Sequence, residues 1–593
     1  MKRRTQRLLI QTILFGCVAF YLFHRGTLLF MQLEGDWLER LTVTANQLWP
    51  ILQNEPINFQ FTRESLRIGL FSFVGCLFIG IYHLFNERNF RVGEEYGSSR
   101  WGDASDSQPF ADKKPEENIL LTATEKLTMA THIKKQKFER NKNVLLIGGA
   151  GSQKTRGYVK PNLMQMHASY VVTESKNLLP HETGKMFHEA GYRVKIFDLV
   201  NRENCHYFNP MAYIDREDDV LMIVKNLLKN TDDRVQKTGD PFWDKAETAL
   251  YCAIISYLME EGLPSEQTFP MVARMVREGR IDSEEEGLVS PLDILFQEFK
   301  EEHPDHFATK QYDTFKLATF KTARSILICA SVRLMPFDIP SIAKLVSKDT
   351  LELDTLGDEK TILYICLPDT NETFNFLAAM LYDVLFEKLI YKADNMYRGR
   401  LPVHVRCLLD EMANIGQIPD FDKKVTTIRS REISVNIILQ SLSQLKNLYK
   451  NTWENIMGSC DSFVYLGGME ETSHKLISQL VGKETIDIQK INQNYGQQGG
   501  YSKSVDKSGR DLIMTDEVAN LDNDVCILKI RGVPAFKSQK YELEKHPRYK
   551  ELSDANSDNW YEFKREQSAV EQFLEHVKTM ESYDFSELND LAS

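Results

Sequence analysis

Apolar and polar positions give the chain three textures. Residues 8–23, running on toward 31, and residues 68–85 are nearly continuous apolar stretches, the second without a charge inside it. Each approaches the roughly 20 residues an α-helix needs to cross a bilayer, so spans over about 8–31 and 67–86 are expected, joined by a short external loop. A cleaved leader is the rival reading of the first stretch, but no small-residue cleavage site follows it and a second span comes soon after. In the second texture, short β-branched runs recur at 143–147, 170–173, 193–197, 361–367, 403–409, 435–439, 463–466 and 526–530. Runs of this length, separated by helical patterns, predict the buried strands of a largely parallel sheet with helices on both faces, an α/β domain. The third texture interrupts it. From about 216 to 348 amphipathic helical patterns replace the strands, as in 219–228 and 240–261, with Pro241 placed where a helix can begin. The expected organisation is a membrane anchor at 1–88, an α/β domain in two parts at 89–215 and 349–548, an inserted all-alpha domain at 216–348, and an acidic tail at 549–593. Residues 492–508, polar and glycine-rich without periodicity, predict a mobile loop. In the tail Val570, Phe573, Leu574 and Val577 fall on one helical face, which suits a helix packed on its own domain or a docking helix for a partner.

A length of 593 residues fits an anchor with at least two further lobes. The net charge of −12 excludes a protein that coats nucleic acid through a bulk positive field, while leaving room for a local basic lining. The basic cluster Lys2, Arg3, Arg4 and Arg7 precedes the first span, so the amino terminus is expected inside, residues 26–67 outside and everything after residue 86 in the cytoplasm. Nine cysteines lie mostly in apolar runs and form no C-x-x-C pair, so neither a structural metal nor a disulfide framework is expected.

Candidate chemistry sits in four segments. After the run at 143–147 comes G-G-A-G-S-Q-K-T, residues 148–155. A strand running into a glycine-rich turn and then Lys-Thr at a helix start is a phosphate cradle. Backbone amides around Gly148, Gly149, Gly151 and Ser152 face the phosphates, Lys154 reaches the β/γ oxygens and the Thr155 hydroxyl reaches Mg2+. One position departs from the pattern: Gln153 stands where glycine is usual, and a side chain there opposes the backbone conformation the turn requires. The second segment, V-R-C-L-L-D-E, ends a strand in Asp410 and Glu411. The first is suited to the Mg2+ shell and the second to orienting and deprotonating a water. The third contains Arg429 and Arg431, and the fourth is a strand ending near Gln440. In ring ATPases an arginine reaches the neighbour's γ-phosphate and a strand-end polar group senses it, which makes Arg429 the candidate finger. The bland alternatives are a common glycine turn, a solvated acid pair and solvated arginines.

The wording L-L-D-E-M-A-N-I-G-Q-I-P-D-F-D-K-K, then I-R-S-R-E-I-S-V-N-I-I-L-Q-S and G-S-C-D-S-F-V-Y-L-G-G, with G-S-S-R-W-G, Y-V-K-P-N-L, D-P-F-W and K-H-P-R-Y in order, closely resembles the TraG/TraD-type coupling proteins of conjugative type IV secretion systems. The resemblance runs from the first span to about Tyr549. It implies two transmembrane helices, a RecA-like P-loop domain with an inserted all-alpha domain, ATP and Mg2+ as cofactors, and a homo-hexameric ring. It further implies a ring that handles single-stranded DNA, a helical domain that helps choose the relaxase-bound substrate, and delivery to the type IV secretion channel. By position Lys154 and Thr155 match the P-loop pair, Asp410 and Glu411 the Walker B pair, Arg429 the arginine finger and Gln440 the sensor. Gln153 does not match, and T-E-S-K-N-L at 173–178 stands where relatives often read like T-D-P-K-G-E. The leading expectation is a membrane-anchored ATPase that recruits the relaxase–DNA complex and drives or gates transfer; the alternative is an ATPase-deficient receptor of the same machine. No nucleic-acid-binding motif stands out, and Lys423, Lys424 and Lys446 are basic positions of the kind usually found on solvated surface.

Overall fold

The computed structural model describes residues 2–85, 91–131, 135–231, 241–280, 289–494 and 500–564, in two units, Met1–Glu95 and Tyr96–Ser593. The apolar face at 570–577 and Asp240 of the D-P-F-W motif lie outside the described residues.

The first unit is helical: α1 (Lys2–Gln32), α2 (Trp37–Asn54) and α3 (Arg63–Phe85). Segments Leu8–Gln32 and Arg63–His83, of mean hydropathy 1.6 and 1.7, are long and apolar enough to cross a membrane. Small residues let α1 and α3 approach closely. A Cβ on Gly80 would stand 2.3 Å from Thr12, and one on Gly69 would stand 3.0 Å from the Phe20 ring. The short loop expected between the spans instead holds α2, whose Asp36 side chain accepts the Trp37 N–H and so caps it. The first helix includes His24 and Arg25, with Arg25 donating to the Glu55 carbonyl at 2.9 Å and His24 stacked on Phe61.

The second unit is built on strands named here in chain order: β1 (Asn118–Leu120), β2 (Lys126–Thr128), β3 (Val144–Ile147), β4 (Ser169–Glu174), β5 (Arg193–Asp198), β6 (Thr361–Cys366), β7 (Val405–Leu409), β8 (Ile433–Leu439), β9 (Ser462–Tyr465), β10 (Lys483–Asn494), β11 (Gly500–Asp511), β12 (Val525–Ile530) and β13 (Phe536–Gln539). Nine of them form one sheet in the order β13-β12-β9-β3-β8-β7-β4-β6-β5. It is parallel from β9 to β5, and β12 and β13 add an antiparallel edge. Every residue of β3, β4, β6, β7, β8 and β9 is buried, which is why these strands read as continuous apolar runs rather than as an alternation.

Between β5 and β6 the chain turns helical, from Glu217–Asn230 through Pro241–Glu261, Phe269–Glu278, Pro291–Glu302, Phe307–Lys316 and Phe320–Leu334 to Pro340–Leu345. Pro291 opens its helix behind a reciprocal cap of Ser290 and Asp293. Their buried side chains, Leu250, Phe269, Phe296 and Ile326 among them, belong to the same continuous apolar core as the sheet, and a buried ion pair joins Arg333 to Glu247 at 2.8 Å.

The loop expected at 492–508 is corrected by the structure. Its described part belongs to a separate two-stranded ribbon, β10 with β11, paired without interruption from Lys483↔Asp511 to Asn494↔Gly500. Polar residues hide it from a hydrophobicity-based reading, since the ribbon buries little and its backbone ladder and side-chain pairs, such as Lys490 with Asp506 at 2.8 Å, hold it together. The G-S-S-R-W-G motif clamps its base. Ser99 N–H reaches the Lys483 carbonyl at 2.9 Å, and Gly102 N–H reaches the Ala535 carbonyl at 2.7 Å. A Cβ on Gly97 would stand 2.2 Å from the Lys483 carbonyl oxygen, so Gly97→Ala is expected to prise this clamp apart at a cost of roughly 1–3 kcal/mol. Faster proteolytic cleavage near residue 97 with unchanged far-ultraviolet dichroism is the expected result.

Candidate nucleotide site

Strand β3 runs between β8 and β9, and the chain leaving Ile147 is pinned to both neighbours. Gly148 N–H bonds the Leu439 carbonyl at 3.0 Å, and Gly149 N–H bonds the Gly467 carbonyl at 2.8 Å. A Cβ on Gly149 would lie 3.1 Å from the Gly468 Cα, so the approach admits only glycine comfortably. Gly151 takes φ +73°, and Ser152 N–H closes the turn on the Gly149 carbonyl at 3.2 Å. Gln153 follows with φ +69°, in the left-handed region that costs a non-glycine residue roughly 1–2 kcal/mol. A π-turn over Thr155–Val159 then feeds the helix Lys160–Leu163.

The four groups expected at this edge, Lys154, Thr155, Asp410 and Glu411, converge. Lys154 Nζ lies 3.0 Å from the Gly148 carbonyl, 3.4 Å from that of Gly149 and 3.8 Å from Glu411 Oε2. Thr155 Oγ1 donates to Asp410 Oδ2 at 3.0 Å. Asp410 is buried at the end of β7, and burial pushes its carboxyl up to about 6; Glu411 adds to the effect, while the Thr155 hydroxyl and Lys154 oppose it. Its Oδ1 is buried with no hydrogen-bond partner among the described residues. An orphaned carboxylate oxygen beside a hydroxyl is a hard-oxygen pair of the kind that holds Mg2+ with water completing the shell, so the donor set fits that ion. Glu411 turns the chain off the strand at φ +55°, and Gln440 Nε2 donates to Glu411 Oε1.

Arg429 is not brought to this edge. It sits in the turn Ile428–Arg431 before β8, paired with Glu139 at 3.0 Å, and lines a cavity of about 340 Å³ with Arg140, Lys142, Arg400 and His404. Since β3 and β8 are parallel, that is the amino-terminal edge of the sheet, opposite the glycine turn. Lys424 is buried against Asp383 at 2.7 Å and Lys446 lies over the Trp453 ring, so both have structural partners.

Two features escaped sequence reasoning. Register pairing of Thr173 with Leu409 sets Glu174 next to Asp410 across the sheet. Glu174 is buried and accepts the Leu179 N–H at 2.9 Å; burial pushes its carboxyl up to about 8 against that hydrogen bond. The departure T-E-S-K-N-L therefore lies beside the site, and its Asn177 adopts φ +50° while donating to Asp198 at 2.8 Å. The second feature is a carboxy-terminal strap. Lys540 Nζ donates to the Ser152 carbonyl at 3.0 Å, Arg156 pairs with Glu544 and, at 3.2 Å, with Asp554, and Lys160 pairs with Asp554 at 2.5 Å and Glu182 at 2.9 Å. Further on, Trp560 stacks flat on His181 with centroids 4.8 Å apart. K-H-P-R-Y marks the neighbourhood in the sequence, but an isolated Lys540 carries no spacing signal.

A glycine cradle seated on a parallel sheet, with Lys and Thr facing a strand-end acid pair, defines a P-loop fold of RecA-like architecture. Residues 106–570 match the profile of the family described as Type IV secretory system Conjugative DNA transfer, and the chain belongs to that family, which comprises the coupling proteins of conjugative type IV secretion. It is 23% identical over 408 residues to Protein VirD4 of Rhizobium radiobacter, covering 67% of this chain and 56% of that protein. To the conjugal transfer protein TraG of Agrobacterium fabrum (strain C58) it is 22% identical over 402 residues, covering 66% and 59%. The chain thus spans less than two thirds of the length of these relatives. Among solved structures it is similar to the plasmid coupling protein TrwB in complex with the non-hydrolysable ATP analogue ADPNP, at TM-score 0.56 and 14% identity, over 77% of this chain and 97% of that one. The same protein with ADP and Mg2+ gives 0.55 at 14% identity, over 75% and 96%. The two apolar helices of the first unit fit a membrane-anchored member of this family.

Gln153→Gly is expected to remove the left-handed strain and raise the stability of the apo protein by about 1 kcal/mol, read as a higher denaturation midpoint. For Glu174 the folded state raises the pKa, so its ionised form opposes folding. That penalty is small below the ordinary value of 4.5, grows with pH and is complete above about 8. Glu174→Gln should therefore gain thermal midpoint over the native chain as pH rises through this interval, with a constant margin beyond it; a margin independent of pH would contradict the assignment.

Proposed function

We propose that this chain is a membrane-anchored ATPase which recruits a relaxase–DNA complex to the type IV secretion channel and drives or gates its transfer. The observation that carries the reading is the Thr155–Asp410 hydrogen bond at 3.0 Å with Lys154 set against Glu411 beside it. In use, Lys154 exchanges the loop carbonyls for the β/γ oxygens of ATP, and Thr155 and Asp410 hold the ion. Bound there, Mg2+ would neutralise the charge that develops on those oxygens. Glu411, held in place by the Gln440 amide, orients the attacking water and takes its proton. Arg429, on the opposite edge of its own sheet, acts on the nucleotide of a neighbouring copy, so the working form is a homo-hexameric ring around single-stranded DNA. In this proposal both apolar helices cross the membrane and the remainder lies in the cytoplasm. The nucleotide-binding domain occupies 89–215 and 349–548, with the all-alpha domain at 216–348 between them.

A second reading, an ATPase-deficient receptor of the same machine, draws support from Gln153 at φ +69°, where glycine is usual. Hydrolysis by the purified full chain, with and without single-stranded DNA, separates the two. A DNA-stimulated rate well above that of Lys154→Ala supports the motor; a rate equal to Lys154→Ala, restored by Gln153→Gly, supports the receptor. For the motor, Glu411→Gln should keep nucleotide binding and lower turnover by roughly 10²–10⁴-fold. Lys154→Ala and Arg429→Ala chains, each inactive alone, should regain part of the activity when mixed, because a mixed ring contains interfaces with an intact cradle on one side and an intact arginine on the other.

A further inference from the structure

The inserted helices enclose a groove of about 920 Å³ that the nucleotide chemistry does not use. Its floor is apolar, with Phe296, Phe315 and Leu327, and at its rim Val289, Ile328 and Val332 are each more than half exposed. Exposed apolar side chains around a concave apolar floor mark a docking site for a helix face. The lining is positive on balance: Lys300 is paired with Asp313 at 2.7 Å and Lys316 with Asp293 at 2.8 Å, and Arg277, Arg280 and Arg324 stand in excess of these pairs. The occupant it suits is apolar on one side and acidic on the other.

The chain supplies such a segment. Val570, Phe573, Leu574 and Val577 recur at i, i+3, i+4 and i+7, and residues 565–593 carry seven acidic side chains against Arg565 and Lys578. Where the described chain ends also matters. Phe563 packs on His206 with ring centroids 5.0 Å apart. Two residues on, Phe208 N–H bonds the Leu345 carbonyl at 3.0 Å. Leu345 closes the helix Pro340–Leu345, which follows the turn Met335–Asp338, and Asp338 pairs with Arg277 in the groove lining. The tail therefore departs beside the segment that leads to the groove, and the six residues from 565 to 570 reach roughly 20 Å when extended.

We propose that residues 570–577 dock into this groove of their own chain, apolar face inward and acidic residues against the basic lining. The tail then covers the apolar surface of the helical insertion, and any incoming acidic amphipathic segment must displace it. The proposal is independent of whether the nucleotide site hydrolyses ATP.

The test places the photo-reactive residue p-benzoylphenylalanine at position 573 of the full-length chain. This chain is co-produced with a probe-free copy whose groove peptide carries Ser331→Ala as a mass tag. Irradiation should join position 573 mainly to the helix Phe320–Leu334 of the untagged, probe-bearing chain. Arg324→Glu in that chain should lower the yield by roughly threefold or more by reversing charge at the rim. Adducts on other surfaces, adducts chiefly on the tagged copy, or a yield indifferent to Arg324→Glu would each overturn the proposal.

Discussion

The ladder that seats β3 between β8 and β9 fixes where every group of the candidate nucleotide site can stand. Leu145 is paired with Ile437 on one side and Phe463 on the other, so three carboxyl-terminal strand ends finish level. That is why Gly148 can bond Leu439 and Gly149 can bond Gly467. The next pairing, Leu409 with Ile437, carries Asp410 to the same edge. A slip of one residue in any of these pairs would turn Asp410 or Gln440 to the other face of the sheet and leave Thr155 without its acceptor. Burial on both faces makes such a slip costly, so the same apolar runs that stabilise the sheet set the distances on which the chemistry depends.

Onto this stiff frame the chain adds local strain. Gln153 and Glu411 both take left-handed backbone conformations, one on each side of the Lys154–Glu411 contact. Conformations of this kind persist only where the surroundings over-determine them. Here the surroundings are identifiable: the Gln440 amide holds the Glu411 carboxylate, and Lys540 holds the carbonyl of Ser152, the residue before Gln153. The turn is thus gripped from strand β8 and from the far end of the chain at once.

Much of this was legible in the sequence, for reasons that differ from one element to another. The parallel strands announce themselves because a strand covered on both faces needs unbroken apolar text, and the helical insertion because its period changes to 3.6. Lys154, Thr155, Asp410 and Glu411 were readable because their spacing to a strand end is local, and Gln153 was readable as a conflict because the turn demands a particular φ. What stayed hidden is non-local or polar. The ribbon β10–β11 has no apolar face to betray it. Helix α2 hides in a segment whose apolar residues, Trp37, Leu38 and Trp49 among them, remain exposed. Glu174 acquires its meaning only from a register with β7, and Lys540 only from a fold that returns 388 positions along the chain to Ser152.

That return has a consequence for how the protein comes into being. The ion pair between Lys160 and Asp554 joins residues 394 positions apart, and the Lys540 hydrogen bond is nearly as long-range. On a ribosome the cradle sequence emerges early, yet its clamp is missing until 388 further residues have followed Ser152; at typical elongation speeds of about 5–20 residues per second that is a delay of tens of seconds. A nascent chain therefore carries an unfinished cradle while those residues are made, and the closing contact becomes available only once every strand of the sheet has been synthesised, since Lys540 directly follows the last of them, Phe536–Gln539.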